Sequence, residues 1–181
     1  LKNKTNFIMI SRLLIDKGLL EYFEAAKIIK SRYPNTNFLI AGSFDDNRSG
    51  IKQEEFKKLL KPRHVEYLGN LNCVKNALSD CAFFVLPSYR EGTPRSTLEA
   101  LAVGRPILTT DVPGCRETVI NGVNGYLVEP KNALSLSKGM EKLLNHSFRE
   151  LQSMSLRSVS LAKEKYDVES VNNKLIKIFN L

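Results

Sequence analysis

The sequence of 181 residues lacks the features of a membrane-spanning or disulfide-stabilised protein. No apolar stretch approaches the roughly 20 residues that a helix needs to cross a bilayer, and the first residues lack the charged-then-apolar order of a secretion signal. The three cysteines form no CxxC pair and are odd in number, which favours neither a disulfide scaffold nor a zinc site. We therefore expect a cytoplasmic protein whose cysteines are buried thiols.

Histidine is equally scarce, and neither His64 nor His146 has Asp, Glu or Cys nearby at a spacing typical of a metal site or a catalytic triad. The net charge of +8 indicates an anionic partner: nucleic acid, an acidic membrane surface or a phosphorylated small molecule. The basic residues form no block and do not alternate with aromatic residues, which disfavours nucleic acid. Peripheral contact with the inner face of a membrane stays a minor alternative, through Lys163, Lys165, Lys174 and Lys177.

Short β-rich runs alternate with segments of helical period, a pattern that specifies parallel strands joined by covering helices. The length suits one well-buried core and is short for two. The predicted strands are residues 7–10, 38–42, 65–69, 82–86, 107–109 and 126–128. The predicted fold class is therefore α/β, a Rossmann-like parallel sheet with helices on both faces, ending in three C-terminal helices.

The last of these helices carries an apolar stripe at helical spacing. Its members are Val168, Val171, Leu175, Ile178 and Phe179. We expect this stripe to pack into the core, like the stripes of the two helices before it.

Two glutamates, Glu91 and Glu99, follow a wholly apolar predicted strand with seven residues between them. Thr93 is a good N-cap and Pro94 suits the first helical position, so a helix is expected to begin there. Glu91 would then lie in the loop before the helix, and Glu99 more than one turn inside it. Ligands bind outside the carboxyl ends of the strands in an open parallel sheet, so both carboxylates can border one pocket.

The loop after the first predicted strand adds two cations, Arg12 and Lys17, ahead of the first helix. Two cations and a helix start suit a pyrophosphate, because N–H groups at a helix start favour an anion. A hydrogen bond from lysine or arginine to phosphate contributes roughly 1.5–3 kcal/mol. Glu99 can accept from both hydroxyls of a ribose, as acidic residues do in dinucleotide folds.

Several segments together resemble the C-terminal, nucleotide-sugar-binding half of group 1 (family 4) glycosyltransferases with the GT-B fold. They follow the family's order over nearly the whole chain, at residues 11–18, 40–42, 67–69, 85–88, 91–106 and 124–128. Where the family often has Gly-Phe-Gly after its first glutamate, this chain has Gly92, Thr93 and Pro94, and proline cannot donate a backbone hydrogen bond. This variant, which comprises residues 90–96 and continues in residues 109–117, is similar to a bacterial subgroup that builds surface polysaccharides and lipid-linked oligosaccharides.

The resemblance implies a role for individual residues. Arg12 and Lys17 would neutralise the donor pyrophosphate and stabilise the leaving nucleotide diphosphate. Glu91 would face the transferred sugar and complete the catalytic set, and Glu99 would bind the ribose. The other residues implied in nucleotide-sugar binding are Leu71, Thr93, Arg95 and Leu98. Enzymes of this family retain the configuration of the sugar and need no metal or other cofactor.

The implied activity is transfer of a sugar from a nucleotide diphosphate donor, such as a UDP-linked hexose or N-acetylhexosamine, to a glycan or lipid-linked acceptor. We expect residues 1–181 to form a single donor-binding domain that lacks the N-terminal acceptor half of such enzymes and barely turns over. Two alternatives stay open. One is a non-catalytic nucleotide-binding or interaction module, and the other is a nucleotide-sugar epimerase of GT-B-like architecture.

Overall fold

The computed structural model describes residues 5–179 as six parallel strands and the helices that connect them. The strands are β1 (Asn6–Ile10), β2 (Asn37–Ala41), β3 (Glu66–Tyr67), β4 (Phe83–Leu86), β5 (Ile107–Thr110) and β6 (Gly125–Val128). The helices are α1 (Leu19–Arg32), α2 (Gln53–Leu60), α3 (Val74–Asp80), α4 (Arg95–Ala102), α5 (Ala133–Leu144), α6 (Phe148–Tyr166) and α7 (Val168–Phe179). Short 3-10 turns occupy Ile15–Lys17 and Arg116–Thr118. The predicted Rossmann-like α/β class is confirmed.

The strand order is β3-β2-β1-β4-β5-β6, and every pairing is parallel. The order reverses between β1 and β4, where crossovers leave the sheet in opposite directions and open a crevice at the carboxyl edge. Ile8 of β1 is level with Leu39 of β2 and with Phe84 of β4. The loops after these three strands therefore leave the sheet side by side.

The central strands are buried on both faces, which explains why they read as unbroken apolar runs. All four residues of β4 are buried. Phe7 of β1 is fully buried, and its ring lies 5.3 Å from that of Phe38 and 4.7 Å from that of Phe83. These aromatic contacts join three adjacent strands at the centre of the core.

Helices cover both faces of the sheet. On one face α1 packs against α5, and Phe56 of α2 meets Phe23 of α1 edge to face at 5.9 Å. On the other face α4 packs between α3 and α6. Within residues 5–179, no helix combines the length and apolar character that crossing a membrane requires.

Two local predictions are wrong. Cys73 is exposed, whereas Cys81 and Cys115 are buried thiols as expected. β3 is shorter than predicted because the chain turns away at Gly69, which has a left-handed φ of 75°.

The apolar stripe of α7 is not core, so this prediction is wrong for Val168, Val171 and Ile178, which are exposed. The side chains of Leu175 and Phe179, and of Lys174 among the predicted membrane-facing lysines, lie outside the described residues. A helical period shows which residues share a face, but burial also needs an element that covers that face. Within the described part of the chain, no element covers these three side chains.

Replacing Phe7 with alanine tests the core. We expect Phe7→Ala to lower the free energy of unfolding by about 3–5 kcal/mol, because it leaves a cavity between three strands. Denaturant unfolding followed by circular dichroism would measure the change. The matched control is Phe148→Ala on half-exposed Phe148, with an expected loss below about 1 kcal/mol. Similar losses in the two variants would show that Phe7 does not anchor the core.

Candidate functional site

A cavity of about 320 Å³ opens where the strand order reverses, at the carboxyl ends of β1 to β4. Its wall is built by the loops after these four strands and by the first turns of α4. Six of the eight predicted site residues line it: Arg12, Lys17, Leu71, Glu91, Arg95 and Glu99. Side chains separated by up to 87 positions in the chain thus meet in one place, as Arg12 and Glu99 do.

Lys17 and Glu91 form an ion pair between the loops after β1 and β4, with Lys17 Nζ 2.5 Å from Glu91 Oε1. Their side chains are only 18% and 10% exposed, so water screens this pair weakly. Removing one partner would leave the other charge partly buried and uncompensated, which is strongly destabilising for buried pairs. The pair therefore fixes the relative position of the two loops.

Backbone hydrogen bonds hold the same two loops together next to the ion pair. The carbonyl of Asp16 accepts from the backbone N–H of Tyr89 at 2.9 Å and from Ser88 Oγ at 3.1 Å. Gly18 turns the chain into α1 with a left-handed φ of 76°, and a Cβ there would lie 2.0 Å from the carbonyl oxygen of Pro87. Only glycine allows this close approach.

The loop after β5 supports Glu91 from the other side. Gly114 has a φ of 83°, and a Cβ there would lie 1.8 Å from the carbonyl oxygen of Gly92 and 2.4 Å from that of Glu91. Burial raises the pKa of the neighbouring Cys115 thiol, so this group stays neutral and acts as packing. The Glu91 backbone is therefore held between the loops after β1 and β5.

Arg12 contacts a residue that the sequence analysis missed. Arg12 Nη1 lies 2.7 Å from Asp45 Oδ2, in the loop after β2. The guanidinium lowers the pKa of the Asp45 carboxyl, and the backbone N–H of Asn47 adds to this effect by donating to the same carboxylate. The sequence could have indicated Asp45 by its position in the loop after β2, because ligand-binding groups collect in the loops at the carboxyl ends of parallel strands.

Glu99 is held loosely. Arg95, one turn earlier on α4, places its Nε 3.2 Å from Glu99 Oε1 and has a side chain that is 91% exposed. Exposed ion pairs contribute only about 0–1 kcal/mol. The Glu99 carboxylate can therefore exchange this partner for a ligand hydroxyl with little loss.

The start of α4 differs by one residue from the prediction. Pro94, not Thr93, takes the N-cap position, because its ψ of 110° is extended. The Pro94 carbonyl accepts from the backbone N–H groups of Thr97 and Leu98 at 3.0 and 3.2 Å. Thr93 is exposed, so its side chain does not cap the helix.

Two predicted site residues are not brought to the cavity. Within the described residues, neither Thr93 nor Leu98 lines it. The Leu98 side chain lines a separate cavity with Ala102 of α4 and Val159 of α6. A role for these two residues in ligand binding stays a prediction.

The cavity combines cations and carboxylates that already engage one another. An anionic ligand would compete with Glu91 for Lys17 and with Asp45 for Arg12. The start of α4 adds backbone N–H groups, which favour an anion. Within residues 5–179, no three His, Cys, Asp or Glu side chains are grouped as a metal site would require.

Comparison with known proteins gives a family and close relatives. The family model described as glycosyl transferases group 1 matches residues 1–157. The N,N'-diacetylbacillosaminyl-diphospho-undecaprenol alpha-1,3-N-acetylgalactosaminyltransferase of Campylobacter jejuni is 33% identical over 173 residues, which make up 96% of this chain and 44% of that protein. The capsular polysaccharide biosynthesis glycosyltransferase CapM of Staphylococcus aureus is 32% identical over 148 residues, or 80% of this chain and 39% of that protein. The chain thus spans less than half the length of these relatives.

Solved structures share the fold. The crystal structure of Anabaena HepE in complex with UDP and glucose aligns with 98% of this chain at a TM-score of 0.84 and 20% identity. The chain covers 48% of that structure. The match shows that this chain has the architecture of about half of HepE.

The support that Gly114 gives to Glu91 can be tested by adding one methyl group. Gly122 has a similar φ of 79° but open space around it, so Gly122→Ala is a matched control for left-handed strain of about 1–2 kcal/mol. We expect Gly114→Ala to lose a further 1–3 kcal/mol or so of unfolding free energy, because the Glu91 loop must shift. Thermal unfolding of both variants measures the difference. Equal losses would mean that the two loops do not depend on this contact.

Proposed function

The chain belongs to the group 1 glycosyl transferases, and we propose that its cavity binds the nucleotide diphosphate sugar used by a retaining glycosyltransferase. The observation that carries this proposal is the meeting of two cations, Arg12 and Lys17, with two glutamates, Glu91 and Glu99, in one cavity. The cations can bind the negatively charged diphosphate, and a carboxylate can accept hydrogen bonds from the ribose hydroxyls. The HepE complex with UDP supports UDP as the nucleotide.

Each part of the donor has a matching part of the cavity. Glu99 on α4 would accept from the ribose hydroxyls, with the base beside Leu71 in the loop after β3. Arg12, Lys17 and the backbone N–H groups at the start of α4 would hold the diphosphate. Glu91 would then face the sugar. A UDP-linked hexose or N-acetylhexosamine fits this assignment, and the N-acetylgalactosaminyl group in the name of the Campylobacter jejuni relative supports the second.

The reaction places negative charge where the cations lie. The bond between the anomeric carbon and the β-phosphate oxygen breaks, and its electron pair leaves with the nucleotide diphosphate. Arg12 and Lys17 would stabilise that charge in the transition state. The acceptor hydroxyl forms the new bond at the anomeric carbon, and its proton passes to a phosphate oxygen of the departing nucleotide diphosphate. Because the protein supplies the positive charge, we propose that neither a metal nor another cofactor takes part, and the family resemblance implies retention.

Binding of the donor would also release Glu91. In the structure, Lys17 Nζ lies 2.5 Å from Glu91 Oε1. A phosphate oxygen that takes over Lys17 leaves the Glu91 carboxylate with a free negative charge beside the sugar. That charge stabilises the positive character that develops at the anomeric carbon. The same contact would therefore hold the loops before binding and prepare the carboxylate after it.

We propose that residues 1–181 form the donor-binding domain and that the acceptor binds largely to a second half outside this chain. The acceptor would be a glycan or a lipid-linked sugar, as the diphospho-undecaprenol in the name of the Campylobacter jejuni relative supports. Exposed Lys163, Lys165 and Lys177 could bring the protein to a cytoplasmic membrane surface as a peripheral partner. The chain alone would bind donor and turn over little.

Calorimetry with UDP, GDP and their sugars tests this proposal directly. We expect heat of binding with UDP and with at least one UDP-sugar. No heat with any nucleotide would instead indicate an interaction module. Conversion of a donor sugar in the absence of acceptor would indicate an epimerase.

The ribose assignment predicts a selective effect of Glu99→Ala. UDP binding should weaken by about 1–3 kcal/mol, because a charged hydrogen-bonding partner is lost. The melting temperature should hardly change, since the only ion-pair partner recorded for Glu99 in the described residues is the exposed Arg95. The control is Glu54→Ala, which removes an exposed helical carboxylate of α2 and should leave UDP affinity unchanged. Unaltered UDP affinity in Glu99→Ala would refute the assignment.

The competition for Arg12 predicts tighter binding in Asp45→Asn. The amide oxygen can still accept from the N–H of Asn47, but the carboxylate no longer holds the guanidinium. Because exposed pairs contribute little, UDP affinity should rise by up to about fivefold. The control is Asp46→Asn at the adjacent position, which also removes one negative charge but does not affect the contact between Arg12 and Asp45. Weaker UDP binding in Asp45→Asn alone would mean that Asp45 orients Arg12 instead of competing for it.

A further inference from the structure

A second, smaller cavity of about 150 Å³ lies beside the first. Arg12 and Lys17 line both cavities and so form the wall between them. The second cavity adds a third cation, Arg90, from the residue before Glu91. Its remaining lining residues are Leu14, Asp16, Asn47 and Ser49. Three cations, one carboxylate, an amide and a hydroxyl thus line this space, and two of the cations, Arg12 and Lys17, are paired with carboxylates outside its lining.

The loops that build this cavity are joined by backbone hydrogen bonds. The N–H of Ile15 donates to the carbonyl of Ser49 at 2.8 Å, which holds the loop after β2 against the loop after β1. The N–H of Tyr89 donates to the carbonyl of Asp16 at 2.9 Å, which holds the loop after β4 against the loop after β1. The backbones that carry all three cations are thus held in place before any ligand arrives.

Arg12 and Lys17 already have carboxylate partners in Asp45 and Glu91, which leaves Arg90 as the cation that a ligand can engage most easily. Asp16 Oδ2 lies 4.0 Å from Arg90 Nη2, which is longer than a hydrogen bond. The Arg90 side chain is 87% exposed and can turn its guanidinium toward an anion. Arginine and lysine together with short polar side chains are the groups that bind phosphate in proteins.

We propose that this second cavity binds a phosphate group of the acceptor, such as the diphosphate that joins an acceptor sugar to its lipid. This inference rests on the proposed function, because it requires a donor diphosphate on the other side of Arg12 and Lys17. The cavity is less than half the volume of the first, and within the described residues its lining includes neither Glu99 nor Leu71, which are assigned to the nucleoside. A phosphate group fits it and a nucleotide does not.

The position also suits the reaction. The acceptor hydroxyl must come within about 3–3.5 Å of the anomeric carbon, beside the donor diphosphate. In an acceptor whose lipid carries a single sugar, that sugar alone separates the hydroxyl from the acceptor's own diphosphate. A second phosphate subsite next to the first would therefore orient the acceptor sugar between the two.

The test uses the 181-residue chain saturated with UDP, so that the first cavity is filled. Geranyl diphosphate, a soluble lipid diphosphate, and inorganic pyrophosphate are each titrated and followed by calorimetry. We expect geranyl diphosphate to bind with one equivalent while UDP stays bound. Arg90→Ala should weaken this binding about tenfold, the effect of losing one charged hydrogen-bonding partner, and change UDP affinity less than twofold. Arg149→Ala, which removes an exposed arginine of α6, should change neither.

Several outcomes would overturn the inference. Displacement of UDP by geranyl diphosphate would place the probe in the donor cavity, and equal affinity in Arg90→Ala and the unmodified chain would exclude Arg90. Binding of pyrophosphate but not of geranyl diphosphate would restrict the cavity to free diphosphate and exclude an acceptor ester. Failure of UDP itself to bind would instead contradict the proposed function, and this inference would fall with it.

Discussion

The ion pair between Lys17 and Glu91 is the contact on which the rest of the site depends. It joins the loops after β1 and β4, the two strands between which the order of the sheet reverses. Because Ile8 and Phe84 are level in these strands, the two loops leave the sheet at the same height and their charges can meet. A topology that places β1 beside β4 thus becomes a chemical site when one loop carries a cation and the other a carboxylate.

The ion pairs of the cavity differ in how readily a ligand can replace one of the partners. Arg95 and Glu99 are joined in water and exchange partners easily, whereas Lys17 and Glu91 are shielded and exchange only for another charge-assisted contact. We therefore expect a diphosphate, but not a neutral sugar, to separate the inner pair. In the proposed function, the nucleotide diphosphate would thus be the part of the donor that rearranges the site.

The sequence indicated the sheet and most of the cavity because both depend on local patterns. Apolar runs mark the central strands, and six of the eight predicted site residues line the cavity at the carboxyl ends of these strands. The residues that the sequence did not reveal act through distant partners: Asp45 matters because Arg12 reaches it, and Gly114 because the Glu91 loop lies against it. The prediction for α7 failed for the same reason, because a helical period does not show whether another element covers the apolar face. A one-residue shift at Pro94 moved Thr93 out of the cap for a purely local reason, the extended ψ of proline.

Two anions on either side of the same pair of cations would repel each other, which sets a condition on any reaction that brings two diphosphates together. Arg12 and Lys17 alone carry too little charge to balance both. Arg90 adds a third positive charge on the side away from the proposed nucleoside position, whereas Arg12 already has a carboxylate partner in Asp45. This added cation would weaken the repulsion between the two diphosphates and so favour joint binding of donor and acceptor. If the proposed function holds, the residue before Glu91 would help donor and acceptor to bind together, while Glu91 would act at the anomeric carbon.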